Sequence, residues 1–375
     1  AARAQAAGYD GVEIIGSAGY LLSTFLLEKT NHRTDEWGGS YENRMRLPVE
    51  IVRRVREAVG DAFIVIYRIA AMEMMEDGSS WEEVVTLGKA IEAVGATIMS
   101  THFVWHQAQV PTISTRVPRA AFAGVTGRLR EKLSLPMITS NRINMPDVAE
   151  AVLEPGEADI TSMGRPMLAD SQFARKAREG RVDEINTCIA CNQACLDHAF
   201  RGKTVSCLVN PRACHETELN YEPVAQARRI AVVGAGPAGL AFATTSAERG
   251  HQVTLFEASA EIGGHFNLAL RIPGKEEFSE TIRYYRRQME LHGVELRLGE
   301  RATVQELESA DWDAVVVATG LRPRELDIPG IDHPMVMGYT DAILGARPIG
   351  RCVAIIGAGG IGFDVAELVS HAGVS

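Results

Sequence analysis

The chain alternates short apolar runs with stretches whose apolar residues recur at helical spacing, the mark of βα units around a parallel sheet. In the first half this pattern predicts strands over Gly11–Ile15, Phe63–Ile69, Thr97–Thr101, Pro136–Ser140 and Asp159–Met163. Helices are predicted over Asn43–Val59, Glu82–Val94, Ala120–Leu133, Met145–Leu153 and Ser171–Arg178. Pro146 falls near the first turn of its helix, where a missing N–H is tolerated. Five strands and five helices in this order fit a doubly wound α/β sheet. They also fit the C-terminal part of a TIM (β/α)8 barrel whose first three units are absent.

In the second half, a strand over Arg229–Val233 runs into Gly234-Ala-Gly-Pro-Ala-Gly239 and then a helix. The next strand, Gln252–Phe256, ends in Glu257. Glycines at Gly234, Gly236 and Gly239 let the backbone approach a pyrophosphate at the helix N-terminus. An acid about twenty residues on takes the ribose hydroxyls. Gly263-Gly264 follow closely, Lys275 could reach the same cofactor, and a strand over Ala314–Ala318 leads into Thr319-Gly320. The amphipathic stretch Glu277–Leu291 reads as a surface helix with a structural role. A second fingerprint, strand Cys352–Ile356 followed by Gly357, Gly359 and Gly362, reads as a nicotinamide dinucleotide site; Cys352 is expected in the core. The residue that separates NAD from NADP is expected beyond residue 375.

Between the halves, Thr187–His215 holds five of the six cysteines. Cys188, Cys191, Cys195 and Cys207 follow the spacing C-x2-C-x3-C-x11-C. Three thiols within a turn and a fourth returning after a short excursion suit an iron–sulfur cluster. Structural zinc more often uses two separated knuckles, and clustered cysteines in a cytosolic-type chain more often bind metal than form disulfides. Cys214 is a fifth candidate, read as an ordinary loop position.

Composition narrows the classes. The 375 residues allow two or three domains, and a net charge of −10 argues against a nucleic-acid or anionic-membrane partner. The sequence shows neither a membrane-spanning run nor a signal peptide, so the expected compartment is cytoplasmic; oligomeric state is not legible. Both ends read as cuts inside a domain. The loops after the last two predicted strands of the first half carry Asn141-Arg142 and Gly164-Arg165-Pro166. Arg beside a turn at those two places is what a phosphate site of a barrel needs.

The blocks GYDGVEI, GYLLSTFL and KTNHRTDEWGGSYENRMR, then the strand carrying Tyr67-Arg68, resemble the FMN barrel of the old-yellow-enzyme superfamily. Joined to the cysteine spacing, the whole chain is most similar to bacterial 2,4-dienoyl-CoA reductases. The resemblance implies an iron–sulfur flavoenzyme using FMN, FAD, a 4Fe-4S cluster and NADPH. Electrons would pass from FAD through the cluster to FMN and an acyl-CoA substrate. It implies Tyr20 as proton donor, His106 as its assistant on the substrate side, and Arg68 beside the flavin pyrimidine ring. Arg142, Gly164 and Arg165 match phosphate-binding positions, and Lys29 falls where a basic residue approaches the acyl-CoA. The implied layout is a partial FMN barrel over 1–185, a cluster segment over 186–221, an FAD domain over 222–340 and the start of an NAD(P) subdomain over 341–375. One departure is Ser17-Ala18, where related enzymes carry an acid or a His. Two alternatives stay open: an amine dehydrogenase of trimethylamine-dehydrogenase type or another enoate reductase, and an inactive fragment that binds FAD at most. Amine dehydrogenases place a His three residues after the equivalent of Tyr20, where this chain has Ser23.

Overall fold

The computed structural model describes residues 1–324 and 326–371, which fall into two compact units, Ala1–Pro166 and a second beginning at Met167. The first unit is a five-stranded parallel sheet in the order β1-β2-β3-β4-β5. Its strands are β1 (Gly11–Gly16), β2 (Ile64–Met72), β3 (Ile98–Phe103), β4 (Met137–Thr139) and β5 (Ile160–Thr161). A doubly wound sheet reverses its strand order at a switch point. This sheet runs in sequence order throughout. One face is apolar: Val65, Tyr67, Ile69, Met99 and Met137 pack against Val52, Val84, Leu87, Ile91 and Leu129 from the helices.

Local differences from the predicted elements have local causes. The helix expected over Asn43–Val59 is two, Tyr41–Arg44 and Arg46–Val59. Pro48 has no N–H to give the Arg44 carbonyl, so the first helix cannot run straight into the second. β5 keeps only two residues because β4 offers it only Ile138 and Thr139 as ladder partners. Two short helices, Leu21–Leu26 and Arg165–Ala169, follow β1 and β5 and were not anticipated.

The NHRTDEWGGS block is an anchor for the loop after β1. The Asn31 amide nitrogen donates to the carbonyls of Phe25 and Trp37 at 2.7 and 2.8 Å. Buried Arg44 donates to the Leu26 and Gly39 carbonyls, both at 2.7 Å, and pairs with Glu28 and Glu83. Removing the buried guanidinium leaves the buried Leu26 carbonyl unpaired and the half-buried Glu83 carboxylate without its counter-charge. Arg44→Met is therefore expected to cost roughly 3 kcal/mol, read as a lower denaturant midpoint.

The second unit contains a four-stranded parallel sheet in the order β8-β7-β6-β9. These are β6 (Arg229–Val233), β7 (Gln252–Glu257), β8 (Glu295–Leu298) and β9 (Ala314–Val317). β7 and β8 build out on one side of β6 and β9 lies on the other, so the order reverses between β6 and β9. Ligands of open α/β sheets sit in the crevice at such a point. The helix Pro237–Glu248 follows β6, with Leu240 and Ala243 buried against Val232 and Leu255. The predicted strand over Cys352–Ile356 does not form, and Cys352 is exposed rather than in the core. None of the described residues pairs with this segment, and a strand without a ladder partner stays solvated. Among the described residues no helix is long and apolar enough to cross a membrane.

Candidate functional site

The loop after β1 makes a tight turn, with Ala18 at φ 66° and Gly19 at φ 93°. Ser23, fully buried, fixes it: its Oγ accepts the Gly19 N–H at 3.0 Å and lies 3.0 and 2.9 Å from the Ser17 and Tyr20 carbonyls. A Cβ on Gly19 would come within 2.9 Å of the Trp105 ring, so only glycine fits there. The loop after β3 closes on this turn, the His106 N–H donating to the Ala18 carbonyl at 3.3 Å. The result brings the two predicted acid–base residues together. Tyr20 and His106 meet edge to face, ring centroids 5.0 Å apart. Tyr20 is 55 % exposed, open to an incoming molecule.

Arg68 projects from the sheet face opposite the helix-packed one. It lies in register with Ile15 and Ser100, and its Nε meets Glu13 Oε1 at 3.0 Å. On the same face, Ser100 Oγ and His102 Nδ1 are buried without a hydrogen-bond partner. Burial is the first cause holding the His102 imidazole down, to about 4, and the charges of Arg68 and His106 add to it. Glu13, Ser100 and His102 escaped the sequence reading. The available signal was Ser100 and His102 two apart in β3, which puts both on one face of the sheet.

His102 makes the unit acid-labile. Above pH 6.5 the imidazole is neutral in both folded and unfolded chains. Below it the unfolded chain takes the proton first, so stability falls until about pH 4, by roughly 3 kcal/mol. Denaturant midpoints of the flavin-free protein should decline across that window, and His102→Gln should shrink the decline.

Arg142 and Arg165 both reach the loop that follows β3. Buried Arg142 donates from Nε to the Val117 carbonyl at 2.8 Å, and Arg165 from Nη1 to the Ile113 carbonyl at 2.9 Å. Gly164 has open space where a Cβ would stand. Lys29 is exposed in the turn beyond helix Leu21–Leu26.

In the second unit the glycine loop has the geometry a pyrophosphate needs. A Cβ on Gly234 would lie 2.4 Å from the Ala318 carbonyl oxygen, and one on Gly239 only 1.8 Å from that of Gly234. Gly236, at the helix N-cap, has nothing within 4 Å, while a Cβ on Gly264 would face its Cα at 3.2 Å. Glu257 accepts the N–H groups of Ala235 and Ser259, each at 2.8 Å, and keeps lone pairs for a ribose. The second fingerprint repeats the arrangement without its strand: Gly357 at φ 117°, a Gly362 Cβ 2.1 Å from the Gly357 carbonyl, and open space at Gly359. Lys275 pairs with Asp364 of helix Gly360–Ser370 at 2.6 Å.

Cys188 is buried, Cys191, Cys195 and Cys207 are half-buried, Cys214 is exposed, and no disulfide joins them. Ala190 and Asn192 take positive φ, 52° and 61°, which folds the first three cysteines into one turn. Burial pushes the Cys191 thiol up and Cys207 to about 11. Backbone N–H groups of Gln193, Val209 and Asn210 counter this at their sulfurs, while neighbouring thiols add to it. Raised in this way the thiols stay protonated on their own, and a bound cation would be what makes them thiolates. Among the described residues no three His, Cys, Asp or Glu side chains converge closely enough for a single ion. A cuboidal cluster spreads its thiolates wider than one zinc ion does, and N–H groups aimed at sulfur are the donors such clusters use.

Comparison with known proteins accounts for both units. Residues 1–184 match the NADH:flavin oxidoreductase / NADH oxidase family, and residues 228–375 match the pyridine nucleotide-disulphide oxidoreductases. The two matches cover separate stretches of the chain, one in each half. It is 41% identical over its whole length to 56% of a "Metal reductase" of Desulforamulus reducens. A solved 2-naphthoyl-CoA reductase complex superposes with a TM-score of 0.94 at 36% identity, over 97% of this chain and 56% of that one. Histamine dehydrogenase from a Rhizobium species superposes with a TM-score of 0.81 at 28% identity, over 92% and 52%. The chain therefore spans about half the length of the relatives it matches.

Proposed function

We propose that the chain belongs to an NADPH-dependent reductase that converts a 2,4-dienoyl-CoA to an enoyl-CoA. The observation that carries this is Tyr20 packed on His106 at the mouth of the sheet, beside a face bearing Arg68. When bound, FAD and FMN would supply hydride chemistry at the nicotinamide and at the substrate, and a four-iron cluster would supply single-electron transfer between them. Gly234, Gly236, Gly239, Glu257 and Gly264 would hold the FAD, and Gly357, Gly359 and Gly362 the nicotinamide nucleotide. Cys188, Cys191, Cys195 and Cys207 would hold the cluster.

The orphaned Ser100 and His102 atoms beside Arg68 fit a polar, partly anionic ring such as a flavin, whose charge the guanidinium compensates. Tyr20 gives its hydroxyl proton to the carbon left electron-rich by hydride addition, and His106 stabilises the tyrosine as the proton departs. Ser23 keeps that hydroxyl in place through the backbone. Arg142 and Arg165 shape the loop that closes over the phosphate side, with Gly164 leaving room, and exposed Lys29 meets the phosphates of the acyl-CoA.

An amine dehydrogenase is the second reading, supported by the likeness to histamine dehydrogenase. Ser23 argues for the reductase, since those enzymes are expected to carry a His there, and the space is filled by a turn-locking hydroxyl. The test uses the full-length protein. Flavin extraction should yield FMN and FAD with iron and sulfide, and NADPH consumption should follow addition of a 2,4-dienoyl-CoA. Oxidation of an amine with an external acceptor, and no dienoyl-dependent NADPH use, would sink the reductase in favour of the dehydrogenase. A protein holding FAD alone and turning over neither substrate would support the inactive binder.

A further inference from the structure

The helix Ser279–His292 has two working faces. Ile282, Tyr285 and Met289 belong to the apolar core of the FAD-type sheet. Glu280, Arg283 and Arg287, at i, i+3 and i+7, share the other face. That face grips the residues immediately before the first cysteine. Arg283 donates from Nη1 to the Asp183 carbonyl and from Nη2 to the Ile185 carbonyl, both at 2.6 Å, and from Nη2 to Thr187 Oγ1 at 3.1 Å. Glu280 holds the guanidinium in place at 2.6 Å from Nε. One turn further, Arg287 lies 2.7 Å from the Asp183 carboxylate.

The grip reaches both ends of the cysteine motif. Ile185 and Thr187 are fully buried, and Thr187 is followed directly by Cys188. Asn186, between them, gives its N–H to Asp170 at 2.9 Å and its side-chain amide to the Val209 carbonyl at 2.7 Å. Val209 in turn aims its N–H at the Cys207 sulfur. One guanidinium thus fixes a path from the FAD-type core through residues 183–187 to both arms of the motif.

We propose that Arg283 is a positioning residue that sets where the cysteine ligands stand on the FAD-type domain. The proposal rests on the reading that those cysteines hold an iron–sulfur cluster. Electron tunnelling falls steeply with separation, so a segment free to drift would slow transfer without touching either cofactor. Planar, bidentate donation to two carbonyls is a geometry lysine cannot reproduce.

The test compares full-length variants under anaerobic conditions. In Arg283→Met, reduction of FAD by NADPH should stay within about twofold of the unaltered protein. The electron paramagnetic resonance signal of the reduced cluster should broaden and appear at least about tenfold more slowly. Arg286→Met, on the exposed side of the same helix, should change neither. Equal signal shape and rate in Arg283→Met would overturn the proposal. Should that variant assemble no cluster, Arg283→Lys decides, with a slowing of about threefold or more expected at full iron content and an unchanged rate overturning it. Iron absent from the unaltered protein would refute the cluster reading itself. The clamp is then read by hydrogen exchange over residues 183–189, expected to rise at least about tenfold in Arg283→Met, with no rise overturning it.

Discussion

Tyr20→Phe is expected to lower turnover of a dienoyl-CoA about 10²- to 10³-fold in the full-length enzyme while reduction of FAD by NADPH is unaffected. The turn that presents Tyr20 is held by Ser23 through backbone groups, so loss of the phenolic oxygen removes chemistry and not structure. The thermal midpoint should therefore not move. His106→Ala should cost less, about tenfold, because the imidazole acts on the substrate through Tyr20. The split between the two half-reactions is the decisive measurement. Full turnover by Tyr20→Phe would remove the tyrosine from the chemistry and with it the main support for an alkene reductase.

Two alanine substitutions in one glycine loop should fail in opposite ways. Gly239→Ala places a methyl 1.8 Å from the Gly234 carbonyl oxygen, so the helix must pull away from β6. Overpacking of this severity costs about 1–3 kcal/mol or more, and the variant should unfold earlier and bind no FAD. Gly236→Ala meets nothing within 4 Å, so the FAD-free protein should unfold at its normal temperature. Its methyl stands where the pyrophosphate approaches the helix N-terminus, and FAD affinity should fall about 100-fold or more, a loss of roughly 3 kcal/mol. Fluorescence titration with FAD beside thermal unfolding separates the two. At the second fingerprint, Gly359→Ala should spare FAD and raise the KM for NADPH. An Ala at Gly236 that binds FAD normally would show that the loop is not a pyrophosphate cradle.

Much of this architecture can be read from residue order. Apolar periodicity locates eight of the nine strands among the described residues, because burial of alternate side chains on a sheet leaves a signal within a few residues. The glycine fingerprints are equally local as sequence patterns, and the clashes at Gly239 and Gly362 arise from carbonyls five residues earlier, although Gly234 is constrained by the distant Ala318 carbonyl. The cysteine spacing names the four thiols that the proposed function groups together. Where the pattern erred, the cause lay elsewhere in the chain. Cys352–Ile356 has a strand's composition but no ladder partner among the described residues, and Pro48 divides a helix whose apolar spacing is unbroken.

The sequence by itself determined the order of βα units and the glycine loops, and named the cysteines and the Tyr20–His106 pair that the proposed function uses. Only the tertiary structure decided which distant groups meet. His102 becomes a neutral, unpartnered imidazole because parallel register carries it onto the Arg68 face. The helix read as an ordinary surface element turns out to clamp the cysteine segment, because its charged stripe faces residues about a hundred positions earlier. Hydrophobic periodicity records which face of an element is buried and is silent about the partner of a polar face. That partner is fixed by chain topology, which is why the fold was legible and the supporting contacts of the site were not.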